Sequence, residues 1–274
     1  MRLLPLLYSI CGAAQGIAAQ LALRAARGAA PAPAVDAAAL AEAQPEHLWR
    51  LLLDWPQALG LPRQESLFVA GRRHLQDGAF ETWASDAMRG PCAAIEAALR
   101  ALPEPFSLAA AQVLPALTAG QTLALWPRLG DDFAAAPTYR GRAAVTGALA
   151  RHAELMDQAL LLAHVMARAA DLTAPRGLGL ASAATVAPGI GRAAVETARG
   201  LLLHEIVLDG ERVADYVVVA PTEWNFHPAG MLKAWLEGAP AASAEELRAF
   251  AARAVLALDP CVRWEIDMDG IAPA

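Results

Sequence analysis

A chain of 274 residues can bury roughly three quarters of its unfolded surface, enough for a substantial core. Its net charge of −6 lacks the clustered basic excess that nucleic-acid phosphates require, which excludes that class of partner. Apolar residues make up 56 % of the chain, much of it alanine, which favours helix more than it builds core volume. Three cysteines, Cys11, Cys92 and Cys261, show no C-x-x-C spacing, which argues against a disulfide framework and for a reducing, cytoplasmic setting.

Two uncharged stretches, Leu3 to Leu23 and Phe106 to Trp126, reach the roughly 20 residues that a bilayer span needs. The first carries Gln15 and Gln20 and the second Gln112 and Gln121, amides that are costly at mid-depth, so both read as buried segments with no membrane role. A leader peptide is not expected: Arg2 alone precedes the apolar run, and no A-x-A site closes it. Ile10 is too bulky for Cys11 to be a lipoprotein site.

In chain order, a helix is expected from Ser9 to Arg27, ended by Gly28 and the Ala/Pro-rich loop 28–35. Asp36 is placed to cap a second helix that runs to about Leu59, with Pro45 a kink or a restart. A third spans Gly78 to Leu102, interrupted near Gly90-Pro91. Thr138 to Arg142 forms a polar turn before the longest helix, Ala144 to Asp171, where Leu149, Leu155, Ala159, Leu162 and Val165 keep near-helical spacing. Leu201 to Leu208 and Val213 to Ala220 read as strands joined by Asp209-Gly210-Glu211, a hairpin over 200–220. Met231 to Glu237 and Ser243 to Leu256 return to helix, the latter opened by a capping box from Ser243 to Glu246. The expected fold class is α+β, mainly α: one domain over 1–274, a helical bundle carrying a small antiparallel sheet.

Four segments suggest chemistry. The first is Ser9-Ile10-Cys11-Gly12-Ala13-Ala14, continuing to Ala18. The second is Thr146-Gly147-Ala148-Leu149-Ala150-Arg151. The third runs from Gly191-Arg192 through Glu196 to Arg199-Gly200, leading into a strand, and is followed by Pro221-Thr222-Glu223-Trp224-Asn225. The fourth is Asp259-Pro260-Cys261-Val262-Arg263-Trp264, continuing to Asp267. In this order and frame they resemble the nickel–iron hydrogenase large subunit, whose motifs read R-x-C-G-x-C-x-x-x-H, E-x-G-P-L-A-R, G-R-x-x-x-E-x-x-R-G, P-T-x-W-N and D-P-C-x-x-C-x-x-H. The chain keeps the first cysteine of each pair, has Ala14 and Trp264 in place of the second, and has Ser9, Ala18 and Asp267 in place of the arginine and the two histidines.

That pattern of loss carries its own implication. In the enzyme four thiolates hold nickel and two of them bridge to iron. By the resemblance, Cys11 and Cys261 match terminal nickel ligands, and the bridging positions are gone. Two thiolates cannot assemble the bimetallic site, so neither nickel nor hydrogen turnover is expected, although soft thiolates still suit a single iron centre. Arg199 and Thr222 match residues around the cyanide ligands of iron, where a guanidinium and a hydroxyl suit an anionic acceptor. Without the resemblance, Arg199 reads as a charge after a strand start and Thr222 as a turn residue beside Pro221.

Large-subunit relatives with a partial ligand set resemble HupK/HoxV-type hydrogenase maturation proteins, and Glu46-His47-Leu48-Trp49-Arg50 fits that group better than a catalytic subunit. The resemblance implies a large-subunit-like fold and a non-catalytic scaffold that transiently holds iron carrying cyanide and carbonyl. Its partners would be the hydrogenase large subunit and other maturation proteins. The alternatives are a diverged hydrogenase-like oxidoreductase with an altered metal site and a metal-free structural partner. Cys92 matches no ligand and reads as structural. Trp224, Asn225 and His227 read as packing and turn residues, His204 as a hairpin-surface or core hydrogen-bonding residue, and Glu196 as a partner for an arginine.

Overall fold

The computed structural model describes residue 8 and residues 10–102, 112–157, 160–239 and 243–268. Of the stretches read above, Leu3 to Leu7, Ser9, Phe106 to Ala111 and Ala159 lie outside the described residues.

The alanine content has a packing role. Helix α1 (Gly12–Ala26) sets Ala14, Ala18 and Ala22 four residues apart on one buried stripe. Small side chains let this helix lie close on a sheet. At the contact even alanine is too large: a Cβ on Gly191 would sit 2.1 Å from the Ala26 nitrogen and 2.2 Å from the Ala22 oxygen. The first glycine of the Gly191–Gly200 run is thus required by helix-on-sheet packing.

That sheet is larger than expected. It is an antiparallel meander of five strands, β1 (Ala34–Val35), β2 (Leu180–Ala187), β3 (Ile190–Thr197), β4 (Gly200–Asp209) and β5 (Arg212–Val219), paired in chain order. The expected hairpin is β4–β5, paired from Leu203 opposite Val219 to Asp209 opposite Arg212 with a one-residue register shift between Val207 and Leu208. The Gly191 run does not merely lead into a strand: its residues to Thr197 form β3, and the last two residues of the expected loop 28–35 form β1, paired to Ala181 and Leu180. Both faces of the sheet are covered, so β4 reads as a nearly continuous apolar run. Leu202 and Ile206 face the α1 alanines, while Leu201 and Leu203 join Trp126, Val217, Val219 and Trp224 on the other side.

A helical layer makes the larger core. It holds α2 (Ala37–Trp49), a π turn (Arg50–Asp54), α3 (Trp55–Ala58), α4 (Glu65–Asp77), α5 (Phe80–Ala87) and α6 (Arg89–Arg100). Asp36 caps α2 by accepting from the Ala38 and Ala39 amides, and Pro45 sits inside α2 without ending it. Sequence reading missed α4. The third expected helix begins later than Gly78, which instead ends α4 in the left-handed region at φ 71°. It breaks at Met88, with Gly90-Pro91 in the first turn of α6, where a missing N–H costs nothing.

The chain continues through α7 (Ala119–Leu125), α8 (Asp131–Ala135), α9 (Ala148–Arg151), a 3-10 turn (Ala153–Asp157) and α10 (Leu160–Thr173). The single helix expected over Ala144 to Asp171 is therefore divided. Arg151 and His152 both turn inward to Asp171, at 2.6 and 2.9 Å, and satisfying that buried carboxylate ends α9. Helices α11 (Pro221–Asn225), α12 (Met231–Glu237) and α13 (Ala244–Leu258) follow β5. Ser243 caps α13 through its Oγ, which accepts from the Glu246 amide. No helix among the described residues is long and apolar enough to cross a membrane.

Candidate functional site

Cys11 is the N-cap residue of α1. Glu42 of α2 holds that helix end in place, its two carboxylate oxygens accepting from the Ala13 and Ala14 amides at 2.8 and 3.0 Å. These amides are otherwise unpaired at a helix start, and a carboxylate also suits the positive end of the helix. Burial pushes the Glu42 carboxyl up, against the pull of those amides. Burial likewise raises the Cys11 thiol, while the Gln15 hydrogen bond and the Arg199 charge act the other way.

Cys261 arrives from the opposite end of the chain. Helix α13 ends at Asp259, which takes the left-handed conformation at φ 60° and is fully buried. Its carboxylate accepts from Arg50 Nε at 2.7 Å and Arg168 Nη1 at 2.8 Å, and Arg199 Nη2 lies 3.6 Å away. These cations hold the Asp259 carboxyl far below the usual carboxylate range despite its burial. Arg50 also donates to the Pro260 carbonyl at 3.2 Å, so the segment that carries Cys261 is fixed from both sides.

Arg199 sits in the tight turn between β3 and β4 and donates to Glu46 Oε2 at 2.9 Å. Gly200 beside it has φ 119°, and a Cβ there would lie 2.3 Å from Thr146 Cγ2, so only glycine fits. Asn225 ties this turn to its surroundings. Its Oδ1 accepts from the Thr146 amide at 2.9 Å, and its Nδ2 donates to the carbonyls of Arg199 at 3.1 Å and Leu258 at 3.3 Å. Thr222, in the first turn of α11, has its Oγ1 3.7 Å from Cys261 Sγ.

The tertiary structure brings all four candidate residues together. Cys11, Arg199, Thr222 and Cys261 line one cavity of about 60 Å³, with Glu42 and Glu46 as its acidic members. Its other walls are mostly small and apolar, including Ala39, Ala43, Ala198 and Pro221. Arg199 Nε is buried with no hydrogen-bond partner among the described residues, an unused donor on a lining side chain. Trp264, which stands where a second cysteine would be, does not line this cavity; it lies in an adjoining groove with Trp49 and Arg263. Among the described residues no cluster of three or more His, Cys, Asp or Glu side chains is placed to hold a metal.

The remaining candidates have other places. Cys92 packs at the edge of the helical core, where burial pushes its thiol up to about 11. The arginine partner of Glu196 is Arg151, at 2.8 Å, so the second and third motifs meet in a buried ion pair. His204 makes a core hydrogen bond rather than facing the hairpin surface. Glu46 and Asp259 stand in segments quoted above but had no site role assigned from the sequence, and Glu42 had none either. The available signal was the spacing Ala39, Glu42, Ala43, Glu46, which places two acids and two small residues on one face of a helix.

No protein-family model matches the chain. It is 32 % identical to the hydrogenase expression/formation protein HupK of Rhizobium leguminosarum bv. viciae, over 97 % of this chain and 86 % of that protein. It is 33 % identical to HupK of Azotobacter vinelandii and 29 % identical to the hydrogenase expression/formation protein HoxV of Cupriavidus necator, each over the same 97 % and 86 %. Identity of this order, sustained over nearly the full length together with the retained frame of motifs, places the chain in the HupK/HoxV family of hydrogenase expression/formation proteins.

Proposed function

We propose that this protein acts in hydrogenase maturation as a non-catalytic scaffold in the cytoplasm. It would hold an iron carrying cyanide and carbonyl ligands in the cavity between Cys11 and Cys261, then pass it to the hydrogenase large subunit with the help of other maturation proteins. The names of its relatives support the maturation role. The order of its motifs supports a frame shared with the large subunit itself.

The observation that carries this reading is the convergence of two thiols, a guanidinium and a hydroxyl, from four distant parts of the chain, on one cavity. Thiolates suit iron. A buried guanidinium with an unused Nε–H, and a threonine hydroxyl, suit the anionic nitrogen of bound cyanide. Two protein ligands leave most of the coordination sphere to the cargo's own ligands, as expected of a carrier. At about 60 Å³ the cavity is well above the roughly 10–15 Å³ that a single water needs. Nickel has no place in this reading, because neither bridging thiolate is present.

The test is metal analysis with infrared spectroscopy on protein purified without oxygen from cells that make a nickel–iron hydrogenase. Iron with cyanide and carbonyl stretching bands is expected. Nickel with hydrogen uptake would instead indicate a diverged oxidoreductase, and protein with neither metal would indicate a structural partner.

A further inference from the structure

We propose that Gln15 is a positioning residue for Cys11: resting on the assignment of Cys11 as a sulfur donor to iron, His204 and Tyr216 lock the Gln15 amide so that its N–H, and not its carbonyl, faces the Cys11 sulfur. Gln15 lies one helical turn after Cys11 on α1, on the same face, with Nε2 3.9 Å from Cys11 Sγ. Its Oε1 is 2.9 Å from His204 Nε2, and His204 Nδ1 is 2.6 Å from the Tyr216 hydroxyl. Gln15 and His204 are both buried, so water does not replace these partners.

The direction of the chain follows from its chemistry. Burial holds the imidazole of His204 down to about 3, so the ring is neutral at physiological pH and carries a single N–H. One proton on the ring couples its two sides. With Nε2–H donating to Gln15 Oε1, Nδ1 accepts from the Tyr216 hydroxyl and the Gln15 amide N–H points at sulfur. The reverse arrangement turns the Gln15 carbonyl toward sulfur, setting two acceptors against each other whenever Cys11 is a thiolate. The geometry therefore selects the Nε2–H tautomer and a donor at the sulfur.

Hydrogen bonds to a metal-bound sulfur draw charge from it and weaken its donation to the metal. A carrier that must release its cargo is served by such a bond at one of only two protein ligands. The relay begins at Tyr216 on β5, crosses His204 on β4 and ends on α1, so the sheet on which α1 lies also orients the ligand at its tip.

The proposal is tested on the full chain, reduced and metal-free. At a pH alkaline enough for Cys11 to be a thiolate, nitrogen-15 NMR of His204 is expected to show the neutral Nε2–H tautomer, and Gln15→Met and Tyr216→Phe should each spread the ring over both tautomers. Alkylation of Cys11 by iodoacetamide at fixed pH should slow about three- to tenfold in Gln15→Met relative to Cys261 in the same molecule, the size expected for one lost hydrogen bond. A wild-type Nδ1–H tautomer, or an unchanged ratio of the two alkylation rates, overturns the proposal. Should Gln15→Met fail to fold, Tyr216→Phe at its half-buried position decides alone, and an unchanged tautomer there is equally fatal. None of these readouts uses iron. An absence of iron from the wild type would thus defeat the scaffold function and leave this test standing, while iron retained beside the wrong tautomer defeats only the role of Gln15.

Discussion

Asp259→Asn isolates what holds the Cys261 end of the cavity. Asparagine keeps the shape of the side chain, so no cavity is created and the change is one of charge. Of the three guanidiniums around Asp259, Arg50 still has Asp54 and Arg199 still has Glu46. Arg168 is different. Its other hydrogen bond among the described residues goes to the Ala257 carbonyl at 3.2 Å, its Nε has no partner there, and it is 4 % exposed. Removing the acidic partner of a buried cation costs about 3–5 kcal/mol, which predicts a Tm lowered by roughly 6–20 °C in a chain of this size. Chemical denaturation at pH 7 under reducing conditions gives the comparison. Adding Arg168→Met to Asp259→Asn should recover part of the loss, because the stranded charge goes with it. A loss below about 1 kcal/mol for Asp259→Asn, or strict additivity in the double variant, would refute the account of Asp259 as the buried counter-ion.

Cys11→Ala and Cys261→Ala should each abolish iron retention in anaerobic protein while lowering stability by only about 1 kcal/mol, as expected for a small, half-buried side chain; equal iron in wild type and both variants would show that the thiols are not ligands. Arg199→Met should weaken retention of the iron unit roughly ten- to a hundredfold and Arg199→Lys should recover part of it, since charge-assisted hydrogen bonds contribute about 1.5–3 kcal/mol and a point charge lacks the planar fork; unshifted cyanide bands at full occupancy in Arg199→Met would assign it a structural role. Stability should also fall with acid. His164 and His204 are both held down to about 3 by burial, so they stay neutral in the fold but gain a proton near pH 6.5 when unfolded. A depressed folded pKa gives stability that is present above the unfolded value and lost below it, at roughly 1.4 kcal/mol per histidine by pH 5.5. Glu42, pushed up by burial, acts in the opposite sense, so the decisive comparison is with His164→Leu, whose decline from pH 7.5 to 5.5 should be smaller than that of the wild type by about 1.4 kcal/mol. Equal declines in the two proteins would contradict this.

Much of the local structure was legible in the residues themselves. Asp209-Gly210 between two apolar runs marked the β4–β5 hairpin, Asp36 and Ser243 marked helix starts, and the order of the motifs marked Cys11, Arg199, Thr222 and Cys261 as one set. These signals are short-range, or they depend on frame alone. Strand β3 was not legible, because Arg192-Ala193-Ala194-Val195-Glu196 has no alternation of apolar and polar residues: both faces of the sheet are covered, and the polar positions are buried against Glu205 and Arg151. The break in the expected helix over 144–171 was hidden for a similar reason. Apolar spacing reports which face is buried, and says nothing of a carboxylate at Asp171 that draws Arg151 and His152 inward. Only the tertiary structure set Arg50, Arg168 and Arg199 around Asp259, and Glu42 beneath the start of α1. Ion pairs between residues so far apart in the chain leave no periodicity in it, since what selects them is the cost of burying each charge alone.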